Sequence, residues 1–201
     1  MKKVAILVFV YIFIPSIIFS QTIDNIDYFS PETDGVIAIK KGNQWGFINN
    51  QGDIVIDFRN DVVVTNTGSD SYPIFKNNRC LIVQKKDGIS YFGYIDKSGK
   101  KAIEPQFLNA SNFNNNIALV LKLLKTEVGY NDYLKKPIIK NRFSEVIINT
   151  DGKDLHHITK PKNVMLRKDH LKTSPQITTK ILSDKLIAIK ENKKWTIKNI
   201  K

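Results

Sequence analysis

From residue 35 the apolar positions fall in short runs with period two, separated by turn residues. "GVIAIKK" (35–41) is apolar and β-rich, "GN" (42–43) is a turn, and "WGFIN" (45–49) is a second run. "NNQG" (49–52) turns the chain again, and "DIVIDF" (53–58) is a third run. Runs of this length and period, bounded by Gly, Asn and Asp, predict a three-stranded antiparallel meander. Alternation puts Trp45 and Phe47 on one face of the second strand and Gly46 and Ile48 on the other. Asn or Asp opening each turn binds nearby backbone N–H groups, and Gly supplies a positive φ.

The same pattern returns along the chain. The element aromatic-Gly-aromatic-Ile-Asn/Asp-x-x-Gly stands as "WGFINNQG" from Trp45 and as "FGYIDKSG" from Phe92. It decays to "EVIINTDG" from Glu145 and is cut short as "WTIKN" from Trp195. "IAIK" followed by Trp occurs at both ends, at 37–45 and 187–195, so these are one strand in the first and last units of an array. Repeats of about 50 residues predict an all-β array of three-stranded antiparallel β-meanders, in open solenoid-like or partial propeller-like stacking. The units run about 34–74, 75–112, 113–180 and a truncated 181–201. The third holds an insertion at 123–143, expected as an extended hairpin or loop and dispensable for folding. Residues 153–180 are polar and basic and predict a loop-rich region. "NVMLRKDHLK" (163–172) is the one short helical candidate.

The first two copies resemble the WG-repeat family of bacterial proteins. Trp45, Gly46, Phe47, Ile48, Gly52 and Ile56 match its pattern, and Phe92, Gly93, Tyr94, Ile95, Asp96, Gly99, Ile103, Pro105 and Phe107 match it more fully. The first copy lacks the family's Pro, the third lacks Trp and Gly, and the last has Thr196 for Gly. The resemblance covers about 34–122 well. It implies an all-β repeat array, exported or within modular proteins, and implies no chemistry. Trp45, Gly46, Gly52, Phe92, Gly93, Gly99 and Trp195 are then repeat-structural positions. The like placement of Trp45 and Trp195 predicts that both rings pin one unit to the next rather than stack on a ligand.

The N-terminus changes the setting. "MKK" precedes an apolar run, 4–19, with small Ser20 before Gln21, the layout of a signal peptide cleaved after residue 20. An uncleaved anchor is the alternative, and the absence of Cys near 20 argues against a lipoprotein. The expected location is therefore periplasmic, cell-envelope or secreted. Net charge is +12, which invites an anionic partner, but 27 of the 31 cations are Lys and four are Arg. Arg is the residue favoured for bidentate phosphate and base contacts, so nucleic acid is the weaker reading.

Candidate chemistry is sparse. Cys80 lies in the strand-like "RCLIVQ" and reads as a core residue rather than a nucleophile. His156 and His157 are adjacent and on a strand would face opposite ways, a poor metal pair. Asp96 fits a turn, Glu104 precedes a Pro, and "NAS" at Asn109 would accept a glycan only in a eukaryotic secretory path. No catalytic residue, cofactor or metal site is expected. Two functions survive. One is an exported, non-catalytic binding or scaffolding module for protein or cell-envelope polymer, with Tyr130, Tyr133, Lys135 and Lys136 of the insertion as candidate contacts. The other is an enzyme or enzyme accessory with its site in the 153–180 loop region.

Overall fold

The computed structural model describes residues 22–183 and 185–200; the expected signal segment, 1–20, lies outside them. Seventeen strands form among the described residues, and no helix. Unit 1 is a sheet of β1 (Tyr28–Thr33), β2 (Val36–Lys41), β3 (Gln44–Ile48) and β4 (Ile54–Arg59), in that order. A connection carries the short pair β5 (Thr65–Asn66) and β6 (Ser71–Tyr72). Unit 2 comprises β7 (Phe75–Lys76), β8 (Arg79–Lys86), β9 (Ile89–Ile95) and β10 (Lys101–Ala110). Unit 3 comprises β11 (Ile117–Asn131), β12 (Lys136–Asn149), β13 (Asp154–His157) and β14 (Lys162–Asn163). Units 2 and 3 share one sheet, ordered β7 to β13 with β14 also on β12. Unit 4 is β15 (Thr179–Ile181), β16 (Leu186–Glu191) and β17 (Lys194–Asn199).

Every strand pairing is antiparallel and no sheet closes into a barrel, so the fold is an open all-β repeat array. Two expectations need correction. Unit 1 has four strands rather than three, because "YFSPET" adds β1 to the edge of the meander. The stretch 163–172 starts as a strand and goes on as coil and a turn, not a helix.

The repeat is carried by one turn made three times. The side-chain oxygen of Asn49 accepts the backbone N–H groups of Gln51 and Asp53, at 3.0 and 2.9 Å. Asp96 does the same for Ser98 and Lys100, and Asn149 for Asp151 and Lys153. The closing glycines Gly52, Gly99 and Gly152 have φ of 89°, 77° and 79°, which only Gly adopts without strain. "EVIINTDG" has lost its Trp and Gly but keeps this turn. Ser98 and its backbone hold the Asp96 carboxyl below the usual range, so it stays ionised and is no proton donor at neutral pH.

Gly93 is needed for another reason. The facing strand β10 bulges by two residues between Ile103 and Phe107, and a Cβ on Gly93 would meet the Ile103 carbonyl oxygen at 2.5 Å. At Gly46 the facing strand bulges by one residue, and the same approach is 3.2 Å.

Stacking follows from strand alternation. Each unit turns one pair of residues forward, to the next unit, and one pair backward. Ala38 and Phe47 of unit 1 meet Cys80, Ile82 and Ile95 of unit 2 in one buried cluster. Leu81 and Tyr94 of unit 2 meet Ala118, Val120, Val146 and Ile148 of unit 3. Leu119 and Ile147 of unit 3 meet Ile187 and Ile189 of unit 4. Phe47 and Phe75 cross edge-to-face at 4.9 Å across the first joint, worth about 0.5–1.5 kcal/mol beyond burial. Cys80 is part of this packing, and burial pushes its thiol well above the usual range, which removes it as a nucleophile.

Polar clasps add to the joints. Arg59 pairs with Asp61 and donates to the Gly99 carbonyl, 2.9 Å, tying unit 1 to the turn of unit 2. Arg79 donates to the Thr150 carbonyl, 2.8 Å, tying unit 2 to the turn of unit 3. Glu145 occupies the Trp position of unit 3 and is buried. Its carboxylate accepts the N–H groups of Thr178 and Thr179, at 2.7 and 2.9 Å, and so fixes the start of unit 4.

The two tryptophans part company. Trp45 is 7% exposed and packs edge-to-face on Tyr28 at 5.9 Å. Trp195 sits in the same register, opposite Lys190 as Trp45 is opposite Lys40, yet it is 46% exposed. Trp45 thus lies in the buried cluster of the first joint, and the Trp195 ring is largely open. Among the described residues no following unit covers Trp195.

Candidate functional site

The insertion in unit 3 is an extended hairpin. Strands β11 and β12 pair continuously from Ile117↔Asn149 to Asn131↔Lys136, with one bulge near Val128. Its base is part of the molecule. Leu123 and Phe143 pack beneath the outer-face cluster of Ile89, Leu108 and Leu121, and β14 pairs with Arg142 and Phe143. From Lys125 outward nearly every residue is exposed. The free arm is therefore Thr126 to Lys140, not the whole of 123–143. At about 3.3 Å per residue, Thr126 to Asn131 reaches roughly 20 Å from the body.

Tyr130, Tyr133, Lys135 and Lys136 are brought together at the arm's tip. Tyr130 stands opposite Pro137, and Asn131 opposite Lys136. The tip turn is held by the Asn131 side chain accepting the Leu134 N–H at 2.8 Å. Tyr133 is 94% exposed, with Tyr130 and Leu134 beside it. Sequence reasoning missed Val128, Ile138 and Ile139, which are also exposed on the arm. The available signal was "KPIIK", two apolar residues in succession between lysines, which cannot both face a core. A two-stranded ribbon with apolar side chains on both faces has nothing in the described residues to bury them.

At the arm's base lies a groove of about 640 Å³. Its walls include Gln84, Lys85, Lys86, Tyr91, Gln106, Lys125 and Leu166. Lys168 and Lys172 line the adjoining hollow with Lys85. Polar segment 158–178 forms one wall because four of its apolar residues, Val164, Leu166, Leu171 and Ile177, lie on the sheet's outer face. Asn109 donates to the Pro175 carbonyl at 2.8 Å, so its amide is engaged in holding this segment rather than free for a glycan. The groove and arm together offer lysines and aromatic rings, and no buried acid–base pair.

The loop region named for a possible enzyme site shows two polar groupings: Asp169 pairs with Arg167 at 3.0 Å and lies 3.6 Å from exposed His170, and the other is centred on Asp154. Lys122 pairs with Asp154 at 2.6 Å, and His157 lies 3.5 Å from the same carboxylate. His157 is exposed, and His156 is the neighbour facing the other way on β13. No group of three or more His, Cys, Asp or Glu side chains is placed to hold a metal among the described residues. Among those residues, too, no helix is long and apolar enough to cross a membrane.

No curated protein and no solved structure matches the chain. One family model does, described as WG containing repeat. It matches residues 45–61 and 92–122, which hold two of the three Asx turns, both Gly-facing bulges and the joint residues Phe47 and Tyr94. Residues 45–61 and 92–122 are accordingly WG containing repeats.

Proposed function

We propose that the protein is an exported, non-catalytic binding module that grips a protein or cell-envelope polymer with its β-arm. The single observation carrying this is the arm itself: a 15-residue ribbon, Thr126 to Lys140, whose tyrosines and aliphatic side chains are exposed. Tyr is a favoured contact residue, and both edges of a free ribbon present backbone groups to which a partner strand can add. Within the arm Lys135, Lys136 and Lys140 outnumber Glu127 and Asp132, and Lys125 and Arg142 stand at its base, so the arm and its basic groove favour an anionic partner. The second reading, an enzyme accessory at 153–180, has the Lys122–Asp154–His157 grouping in its favour. That grouping is a surface ion pair, and it carries less than the arm does.

The test is a pull-down from the protein's own cell envelope, with peptidoglycan and polysaccharide as separate arms. The comparison chain has Thr126–Lys140 replaced by Asn-Gly, joining the paired residues Lys125 and Asn141. Loss of capture by the shortened chain supports the reading. Equal capture by both chains overturns it.

A further inference from the structure

Among the described residues the joint pattern leaves two faces that no further unit covers, one on unit 4 and one on unit 1. Unit 4's forward pair, Ala188 and Ile197, takes the positions of Ala38 and Phe47 in unit 1. In unit 1 those positions are covered by the backward face of unit 2. In unit 4 Ile197 is 64% exposed, flanked by exposed Trp195 and Leu186. At the other end, unit 1's backward pair, Ile37 and Ile39, takes the positions of Cys80 and Ile82; Ile39 is already buried, and the open part of this face is Ile37 with its neighbours. Beside it stand Phe29, 73% exposed, and exposed Ile54. A Cβ added to turn Gly52 would meet nothing within 4 Å, whereas at its counterparts Gly99 and Gly152 it would meet Ile56 and Ile103 of the preceding unit.

Charge follows the same axis. Residues 22–74 hold eight of the 19 acidic side chains and three of the 31 cations. Residues 179–200 hold six lysines and two acids. On the leftover faces themselves, Glu32 pairs in register with Ile37, while Lys180 and Lys190 lie on the side of Ala188 and Trp195. Both lysine ammoniums stand over the Trp195 ring, at 5.2 and 5.5 Å from its centroid.

We infer that the forward face of unit 4 docks on the backward face of unit 1 of a second copy of this chain. Such a contact continues the stack across two molecules with the geometry the chain already uses at its internal joints. An acidic first unit meets a basic last one, and Phe29, Ile54, Trp195 and Ile197 leave water together. The contact is heterologous, so it propagates head to tail into open chains or a ring.

Sedimentation velocity of the full chain over a concentration series tests this, using Ile197→Asp and Phe29→Lys. Both sites are exposed strand positions, and each change sets like charges against each other at the contact. Wild type should show mass rising with concentration past the dimer, and less so as salt is raised. Each variant alone should stay monomeric. An equal mixture should form dimers and stop there, because one good forward face and one good backward face remain. The arm-shortened chain should assemble as wild type does, which separates this contact from the arm's binding. Wild-type mass independent of concentration, single variants that assemble normally, or a mixture that stays monomeric would each overturn the proposal.

Discussion

At the residue scale the same side chain has two fates. Trp45 and Trp195 share strand position, cross-strand Lys and sequence context, but Trp45 is buried in the first-joint cluster against Tyr28 and Trp195 is exposed. Trp45→Ala should therefore cost about 3–5 kcal/mol, as a large aromatic removed from a core does. Trp195→Ala should cost under about 1 kcal/mol in the isolated chain. Chemical denaturation of both variants measures the contrast, and equal losses would contradict it. Asp61 gives a pH prediction. The hydrogen bond from Arg59 holds its carboxyl below the usual range. A carboxyl depressed on folding stabilises above its unfolded value, about pH 4, and the stabilisation is lost as pH falls through the folded value. The stability gap between wild type and Asp61→Asn should be constant above about pH 5 and shrink in more acidic buffer. A gap that does not change with pH would show that the pair is inert.

At the scale of the element the β11–β12 hairpin divides into base and arm. Below Lys125 it supplies Leu119, Leu121, Val146, Ile147 and Ile148 to three buried clusters. Above it, strand pairing continues without core contact. Replacing Thr126–Lys140 with Asn-Gly should leave the melting midpoint within about 2–4 °C, since a shorter connection carries a smaller closure cost. Cutting deeper, from Leu124 to Arg142, removes part of the β14 pairing and exposes Leu123 and Phe143. That variant should lose several degrees more. Thermal melts of the two side by side locate the boundary, and identical melts would mean the base is not packed.

For the molecule as a whole the weakest joint is the last. Units 2 and 3 share a continuous sheet, whereas unit 4 joins unit 3 through one small cluster and the Glu145 clasp. Glu145→Ala leaves the Thr178 and Thr179 N–H groups without their acceptor, at about 1.5–3 kcal/mol for a hydrogen bond to a charged group. Hydrogen exchange in 179–199 should then rise well before exchange in β8 to β12, because unit 4 opens on its own. Uniform exchange across the chain would show one cooperative block instead.

The sequence alone determined the repeat, the strands and the turns. These are local: period-two alternation, Asn or Asp opening a turn and Gly closing it are each decided within about ten residues. They were legible even in "EVIINTDG", where the turn survived after the aromatic and Gly were lost. What the tertiary structure decided is which face of each strand meets a neighbour. Trp45 and Trp195 read alike because burial depends on what packs on the ring from elsewhere in the chain, as Tyr28 does on Trp45. Glu145 looked like decay at an aromatic position, and its use as a clasp for Thr178 and Thr179 exists only once residues 33 apart are brought together. The insertion was legible as a length anomaly, but its split into packed base and free arm depends on Val164, Leu166 and Leu171 crossing over Leu123 and Phe143. Spacing along a chain fixes local geometry, while a joint between units is a contact between distant residues, and only the folded stack brings them together.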